Sequence, residues 1–263
     1  MKKVVIIPTY NERENIEAII AAVMALNASF HILIIDDGSP DGTAQIVKSL
    51  FNQYPNQLFL EERKGKLGLG TAYIHGFKWA LKNGYQFICE MDADFSHNPS
   101  DLIRLQQACV DGAAVAVGSR YIKNGAVENW PMNRIALSKG ASLYTRIITF
   151  MPVKDPTAGF VCYTAEVLST INLDAISFVG YAFQIEMKFA AWKLGFNIVE
   201  VPITFKDRKL GASKMNKGII KEGILGVLQL KWQSLFKNYR HKVKVNVADI
   251  EAVKPHDVAA KTF

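Results

Sequence analysis

The chain has 263 residues, 49% apolar and 21% charged, which suits one globular α/β domain with a large core. Its net charge of +7 is uneven: the segment from Lys206 to Lys244 holds eleven Lys or Arg against Asp207 and Glu222, leaving the rest near neutral, and this favours a local anionic partner such as phosphate or a membrane surface. Neither a secretory signal nor a membrane span is expected, because Pro8 ends the apolar start early and no stretch reaches the ~20 apolar residues a span requires; Cys89, Cys109 and Cys162 lack ligand spacing and read as buried free thiols of a reducing compartment.

The apolar pattern predicts strands at residues 4–7, 32–35, 58–60, 87–91 and 113–117. Between and after them it predicts helices at 11–27, 43–51, 70–81 and 99–109. Continuous apolar strands alternating with helices imply a Rossmann-like, mostly parallel sheet with helices on both faces. The second half predicts helices at 134–150, 181–194 and 217–238, one strand at 198–205, and a loosely structured tail. No Pro/Gly/Ser linker divides the chain, so residues 1–240 read as one catalytic domain, with 215–240 amphipathic and 241–263 a flexible tail.

Ligands of such sheets bind beyond the carboxyl ends of the strands. Those ends carry Pro8-Thr9-Tyr10-Asn11-Glu12, Asp36-Asp37-Gly38-Ser39, Asp92-Ala93-Asp94 and Gly118-Ser119-Arg120. Asp92 and Asp94, two apart on an extended end, point the same way and offer hard oxygen ligands for Mg²⁺ or Mn²⁺, which in turn binds phosphate. The same pattern also suits a solvated acidic turn. Asn11, followed by Glu14 at the third position, reads as a helix cap. Tyr10 and Glu12 are candidates to line a base or ribose pocket, and Asp36 or Asp37 to bind the nucleotide. Ser39 or Asp41 suits a cap for the next helix. Gly68-Leu69-Gly70 lacks the third glycine and the strand-one context of a dinucleotide motif. Arg120, Arg134, Ser138, Arg208 and Lys214 are candidate phosphate contacts. The histidines form no paired spacing and read as structural, and no nucleophilic Ser or Cys setting is evident. Asp155 has no role that chemistry alone assigns, beyond that of a possible base.

Over residues 6–15, 34–43, 68–76, 91–99, 118–121, 129–140, 155–160, 201–204 and 208–214 the chain resembles the family 2 glycosyltransferases, and among them the dolichol-phosphate (polyprenol-phosphate) mannose synthases. The resemblance implies a GT-A fold and inverting transfer of mannose from GDP-mannose to a polyprenyl or dolichyl phosphate. It implies GDP near Pro8, Tyr10, Glu12, Asp37, Asp92 and Ala93, and a metal on Asp92 and Asp94. It also implies the diphosphate near Arg208 and Lys214, and the acceptor phosphate near Arg120, Arg134 and Ser138. Ser96 stands where some members have a metal-binding Gln, and the transmembrane helices that other members carry after the domain are not expected here. The chain is therefore expected on the cytoplasmic face of a membrane, held by a small membrane partner or by the 217–238 helix, whose other reading is a helix packed on the core. A UDP-sugar donor, glucose or GlcNAc, is the alternative. A nucleic-acid partner is not expected, since the acidic strand ends would repel a phosphate backbone.

Overall fold

The protein was analysed as a computed structural model, which describes residues 1–180, 182–207 and 217–241. The first half alternates strictly: β1 (Lys3–Thr9), α1 (Ile16–Met24), β2 (His31–Asp36), α2 (Thr43–Ser49), β3 (Leu58–Glu62), α3 (Leu69–Lys82), β4 (Phe87–Glu90), α4 (Asp101–Val110) and β5 (Val115–Ser119). The second half adds β6 (Ala126–Glu128), α5 (Met132–Thr149), β7 (Val161–Thr164), α6 (Ala165–Thr170), α7 (Ala182–Lys193), β8 (Ile198–Pro202), β9 (Thr204–Lys206) and α8 (Lys217–Gln233). Seven strands form the main sheet in the order β3-β2-β1-β4-β7-β5-β8, and β6 pairs with β9 in a small second sheet. All main-sheet pairings are parallel except those of β7, which runs antiparallel between β4 and β5.

The unbroken apolar strands have the cause the sequence suggests. Val4, Ile6, Leu33 and Ile35 enter one core layer with α3 and α7, while Val5, Ile7, Ile32 and Ile34 enter the opposite layer with α1 and α4. Neither face of these strands meets water, so neither can be polar. Close approach fixes two glycines of α3. A Cβ on Gly76 would stand 2.8 Å from Ile6, and one on Gly70 2.7 Å from both the Phe178 carbonyl oxygen and the Phe183 ring.

Two local expectations change and one open choice is decided. Asn11 does not cap a helix. It takes a left-handed φ of 59° and its N–H donates to Ser39 Oγ, while the turn into α1 opens at Glu12, whose carbonyl accepts from Asn15 and Ile16. Asp41, rather than Ser39, serves the start of α2: its Oδ1 accepts from the Thr43 N–H and hydroxyl, across Gly42. The single strand expected at 198–205 breaks at Ile203 into β8 and β9, which belong to different sheets. Ile203 donates its N–H to the Ser119 carbonyl at the break, where the chain leaves one sheet for the other. The elements with no sequence signal are short: β6, β7 and α6 span three, four and six residues. The expected tail lies outside the described residues except for His241, whose N–H donates to the Thr170 carbonyl.

Candidate active site

From β1 the chain turns one way to β2 and β3, and the later strands lie on the other side, so the sheet order reverses between β1 and β4. Such a reversal leaves a crevice at the strand ends. Here β1–β4 pairing stops at Ile6↔Glu90, and Ile6 accepts from the Met91 N–H on that side. Pro8 lies two residues on, so its missing N–H faces the side where pairing has ended and costs no ladder bond. Asp92 and Asp94 follow β4 directly and border the crevice.

A cavity of about 660 Å³ opens there. Its wall includes Asp92, Asp94, Arg120, Arg134 and Ser138, so two of the expected groups of site residues share one space. Much of the remaining wall is apolar or small, including Leu69, Leu137, Ala141, Ile185 and Gly223 from α3, α5, α7 and α8.

On the acidic side, Asp94 Oδ1 accepts from the Ser96 N–H at 3.0 Å, which turns the chain back after β4. His97 stacks on Phe160 with centroids 4.8 Å apart and meets Phe205 edge-on. Burial pushes its imidazole down to about 4, with Asp94 and Asp155 opposing and Arg120 adding to the shift, so at neutral pH the ring is uncharged. Asp92 and Asp94 supply hard carboxylate oxygens toward the cavity, which fits Mg²⁺ or Mn²⁺ completed by water and diphosphate oxygens. No set of three or more His, Cys, Asp or Glu that could hold a metal occurs among the described residues.

On the basic side, Arg120 donates Nε and Nη2 to the two oxygens of Asp155, each at 2.7 Å, and Nη2 also to Thr157 Oγ1. Its guanidinium lies among the rings of Tyr121, Trp130 and Phe205. Burial alone would push the Asp155 carboxyl up, but hydrogen bonds and charge from Arg120 hold it below its ordinary value. Fully buried and outside the cavity wall, Asp155 is therefore a holder of Arg120 and poorly suited to be a base. Arg134 stacks on Trp130 with its guanidinium carbon 3.9 Å from the ring centroid, and its Nη1 donates to both oxygens of Asp207. Its Nε is buried without a partner, a donor available to an anion. Ser138 Oγ accepts from Tyr121 OH at 2.6 Å.

The nucleotide-side candidates gather at the ends of β1 and β2 and do not join the cavity wall. Asp36 is spent internally: its carboxylate accepts from Thr9 Oγ1 and from both the N–H and hydroxyl of Ser39. Asp37 is paired with Arg63, whose Nε donates to it at 2.6 Å. Tyr10 lies under Lys66, whose Nζ is 5.0 Å from the ring centroid, and Glu12 is half-buried with its carboxylate accepting from Asn15 Nδ2. Ala93 is buried in the core between the two acids. Arg208 and Lys214 lie outside the described residues.

Beneath the site is a polar cluster that sequence reasoning missed. Lys188 of α7, fully buried, donates to the carbonyl oxygens of Ala158 and Gln184 and to the Gln184 side chain. Glu90, two residues before Asp92, is also fully buried, and both its oxygens lack a hydrogen-bond partner. Burial pushes its carboxyl up, against the pull of the Lys188 charge, and pushes the Lys188 ammonium down. A signal existed: Gln184, Glu186 and Lys188 interrupt a helix that is otherwise apolar all round from Ala182 to Trp192. Arg63, Trp130 and Thr157 had no such marker.

Residues 4–171 match the family described as Glycosyl transferase family 2. The chain is 46% identical over 228 residues to the polyprenol monophosphomannose synthase of Mycolicibacterium smegmatis, covering 87% of this chain and 86% of that protein. It is 43% identical over 239 residues to the undecaprenyl-phosphate mannosyltransferase of Micrococcus luteus, covering 89% and 98%. Among solved structures, the glucosyl-3-phosphoglycerate synthase of Mycobacterium tuberculosis, in complex with Mn²⁺, UDP and glucosyl-3-phosphoglycerate, superposes with a TM-score of 0.64 at 16% identity over 88% of this chain and 79% of that one.

Proposed function

The chain belongs to glycosyl transferase family 2 and has the GT-A fold, and from that premise we propose that it transfers mannose from GDP-mannose to the phosphate of a polyprenyl lipid, with inversion at the anomeric carbon. The observation that carries the reading is one shared cavity with an acid pair on one side, two arginines on the other, and a largely apolar wall between α5, α7 and α8. Nucleotide diphosphate, lipid phosphate and the first apolar stretch of the lipid each find matching chemistry there.

Asp92 and Asp94 would hold Mg²⁺ or Mn²⁺, which when bound would neutralise charge on the departing diphosphate. Pro8, Tyr10, Glu12, Asp37 and Ala93 border the nucleotide. Arg120, Arg134 and Ser138 hold the acceptor phosphate. Asp155 keeps Arg120 in place, so the remaining donor Nη1 meets an oxygen without losing side-chain entropy at that moment. The acceptor oxygen is already ionised near neutral pH, so no residue need remove a proton. That oxygen forms a bond to the anomeric carbon as the bond to the diphosphate breaks on the opposite face. The electron pair leaves with GDP.

The lipid acceptor requires a membrane surface, and the enzyme meets it peripherally through α5 and α8. No described helix is long and apolar enough to cross a membrane. Helix α8 is both core and surface: Val227 and Leu230 are buried, whereas Leu225, Leu228 and Trp232 are exposed, as are Leu235 and Phe236 in the turn that follows it. Helix α5 exposes Leu143 and Ile147, and Phe150, just past its end, is exposed as well. Together they form an apolar face rimmed by Lys139, Arg146 and Lys231, the pattern of helices that lie in an interface.

The test is transfer of radiolabel from GDP-mannose to polyprenyl phosphate in detergent, with UDP-glucose and UDP-GlcNAc alongside. Label in the organic phase from GDP-mannose, abolished by EDTA, is expected. Label from a UDP-sugar alone would overturn the donor assignment.

A further inference from the structure

A second pocket, about 360 Å³, lies on the adjacent face of α5 and is lined by Tyr121, Lys139, Ser142, Leu143, Arg146 and Lys154. Lys139, Ser142 and Arg146 share one helical face by their spacing of three and four residues. Three cations therefore line this pocket and no carboxylate does. The carboxylate bonded to the backbone nearby, Glu200, is occupied by the N–H groups of Lys154 and Asp155.

Two polar groups of the pocket are unsatisfied. Ser142 is 2% exposed, and its hydroxyl has no hydrogen-bond partner. Arg146 Nε is buried and likewise has none. Buried donors without acceptors are costly, and an anion that accepts from both removes the cost. The pocket also borders the apolar face, because Leu143 is a lining residue and is 54% exposed. Tyr121, through its bond to Ser138, joins the pocket to the acceptor cavity.

We propose that this pocket binds the phosphodiester of an anionic membrane phospholipid, one headgroup away from the acceptor lipid. Arg146 and Ser142 donate hydrogen bonds to its oxygens, and Lys139 and Lys154 supply charge. The site rests on the reading that the enzyme works at a lipid surface, though not on the identity of its sugar donor. It would orient α5 at the membrane and hold the cavity open toward the lipid layer.

The full chain is sedimented with phosphatidylcholine vesicles, with and without phosphatidylglycerol. Binding is expected to rise with phosphatidylglycerol in the wild type. Arg146→Gln should lose about fivefold of that rise. Ser142→Ala and Arg146→Lys, which keep the net charge, should each lose a clear part of it while melting at the wild-type temperature and binding pure phosphatidylcholine unchanged. Retention of the full rise in both charge-neutral variants would overturn a built site in favour of diffuse attraction. Inorganic phosphate that abolishes the rise in the wild type would assign the pocket to a free anion and overturn the headgroup. The rise persisting, and falling in Ser142→Ala, while no sugar is transferred from GDP-mannose would uphold this site and sink the donor reading instead.

Discussion

Arg120 is gripped by one carboxylate, one hydroxyl and three aromatic rings, so its guanidinium has little freedom before any ligand arrives. Asp155→Asn removes the charge that holds it and leaves a buried cation uncompensated. We expect a loss of about 3–5 kcal/mol in urea unfolding, and a rise in KM for the lipid phosphate with little change in GDP affinity. The pH dependence has a definite sign. The folded Asp155 carboxyl sits below its ordinary value, so its contribution to stability is complete above the unfolded carboxyl's value of 3.8 and is lost as pH falls through the folded one. Wild type should therefore lose more stability than Asp155→Asn when unfolding is followed from neutral pH down to about pH 3. On the opposite wall, Asp94→Asn should lower kcat by about 100-fold or more with the melting temperature preserved. The chemistry of Asp92, Asp94 and Arg120 was legible as residue types at strand ends, and that of Arg134 as a cation in the first turn of an expected helix. What Asp36 does was not, because its partner Thr9 is 27 residues away, on another strand. Adjacent acids at a strand end look alike in sequence, and only packing decides which turns inward.

Helix α7 carries the polar layer under the site although its sequence has no polar face. Lys188 ties the Ala158 carbonyl, and so the 155–159 loop, to this helix and opposes the charge of Glu90. Lys188→Met should cost about 3–5 kcal/mol, and Glu90→Gln added to it should recover part of that loss in a double-mutant cycle. Glu186, two residues earlier, accepts from the N–H groups of Ser177 and Phe178 and from Lys237 Nζ. The elements of the first half were legible because each apolar run is long enough to show its period. Helices α5 and α8 were also legible. The helix α7 was placed, and Gln184, Glu186 and Lys188 stood out in its sequence, but a helix buried on all sides has no polar face to show which way they point.

At the scale of the molecule, the exposed apolar residues concentrate on α5 and α8 and just past their ends. Trp232 is 68% exposed, Phe236 79% and Phe150 71%, with Lys231 Nζ 4.8 Å from the Phe150 ring centroid. A charge placed there, as in Trp232→Glu, should abolish sedimentation with vesicles yet leave the fold unchanged by circular dichroism. The sheet was readable as far as β5; how the later strands join it was not, because the sheet is completed out of order. Strand β7 separates β4 from β5, although both are made well before it. During synthesis the half-sheet β3-β2-β1-β4 can pair as soon as its residues emerge, but β5 has no neighbour in the finished sheet until residues 161–164 arrive. The acid pair hangs from the early half and Arg120 from the strand that must wait, so a nascent chain cannot hold the two walls of the site side by side until β7 has joined β4 to β5.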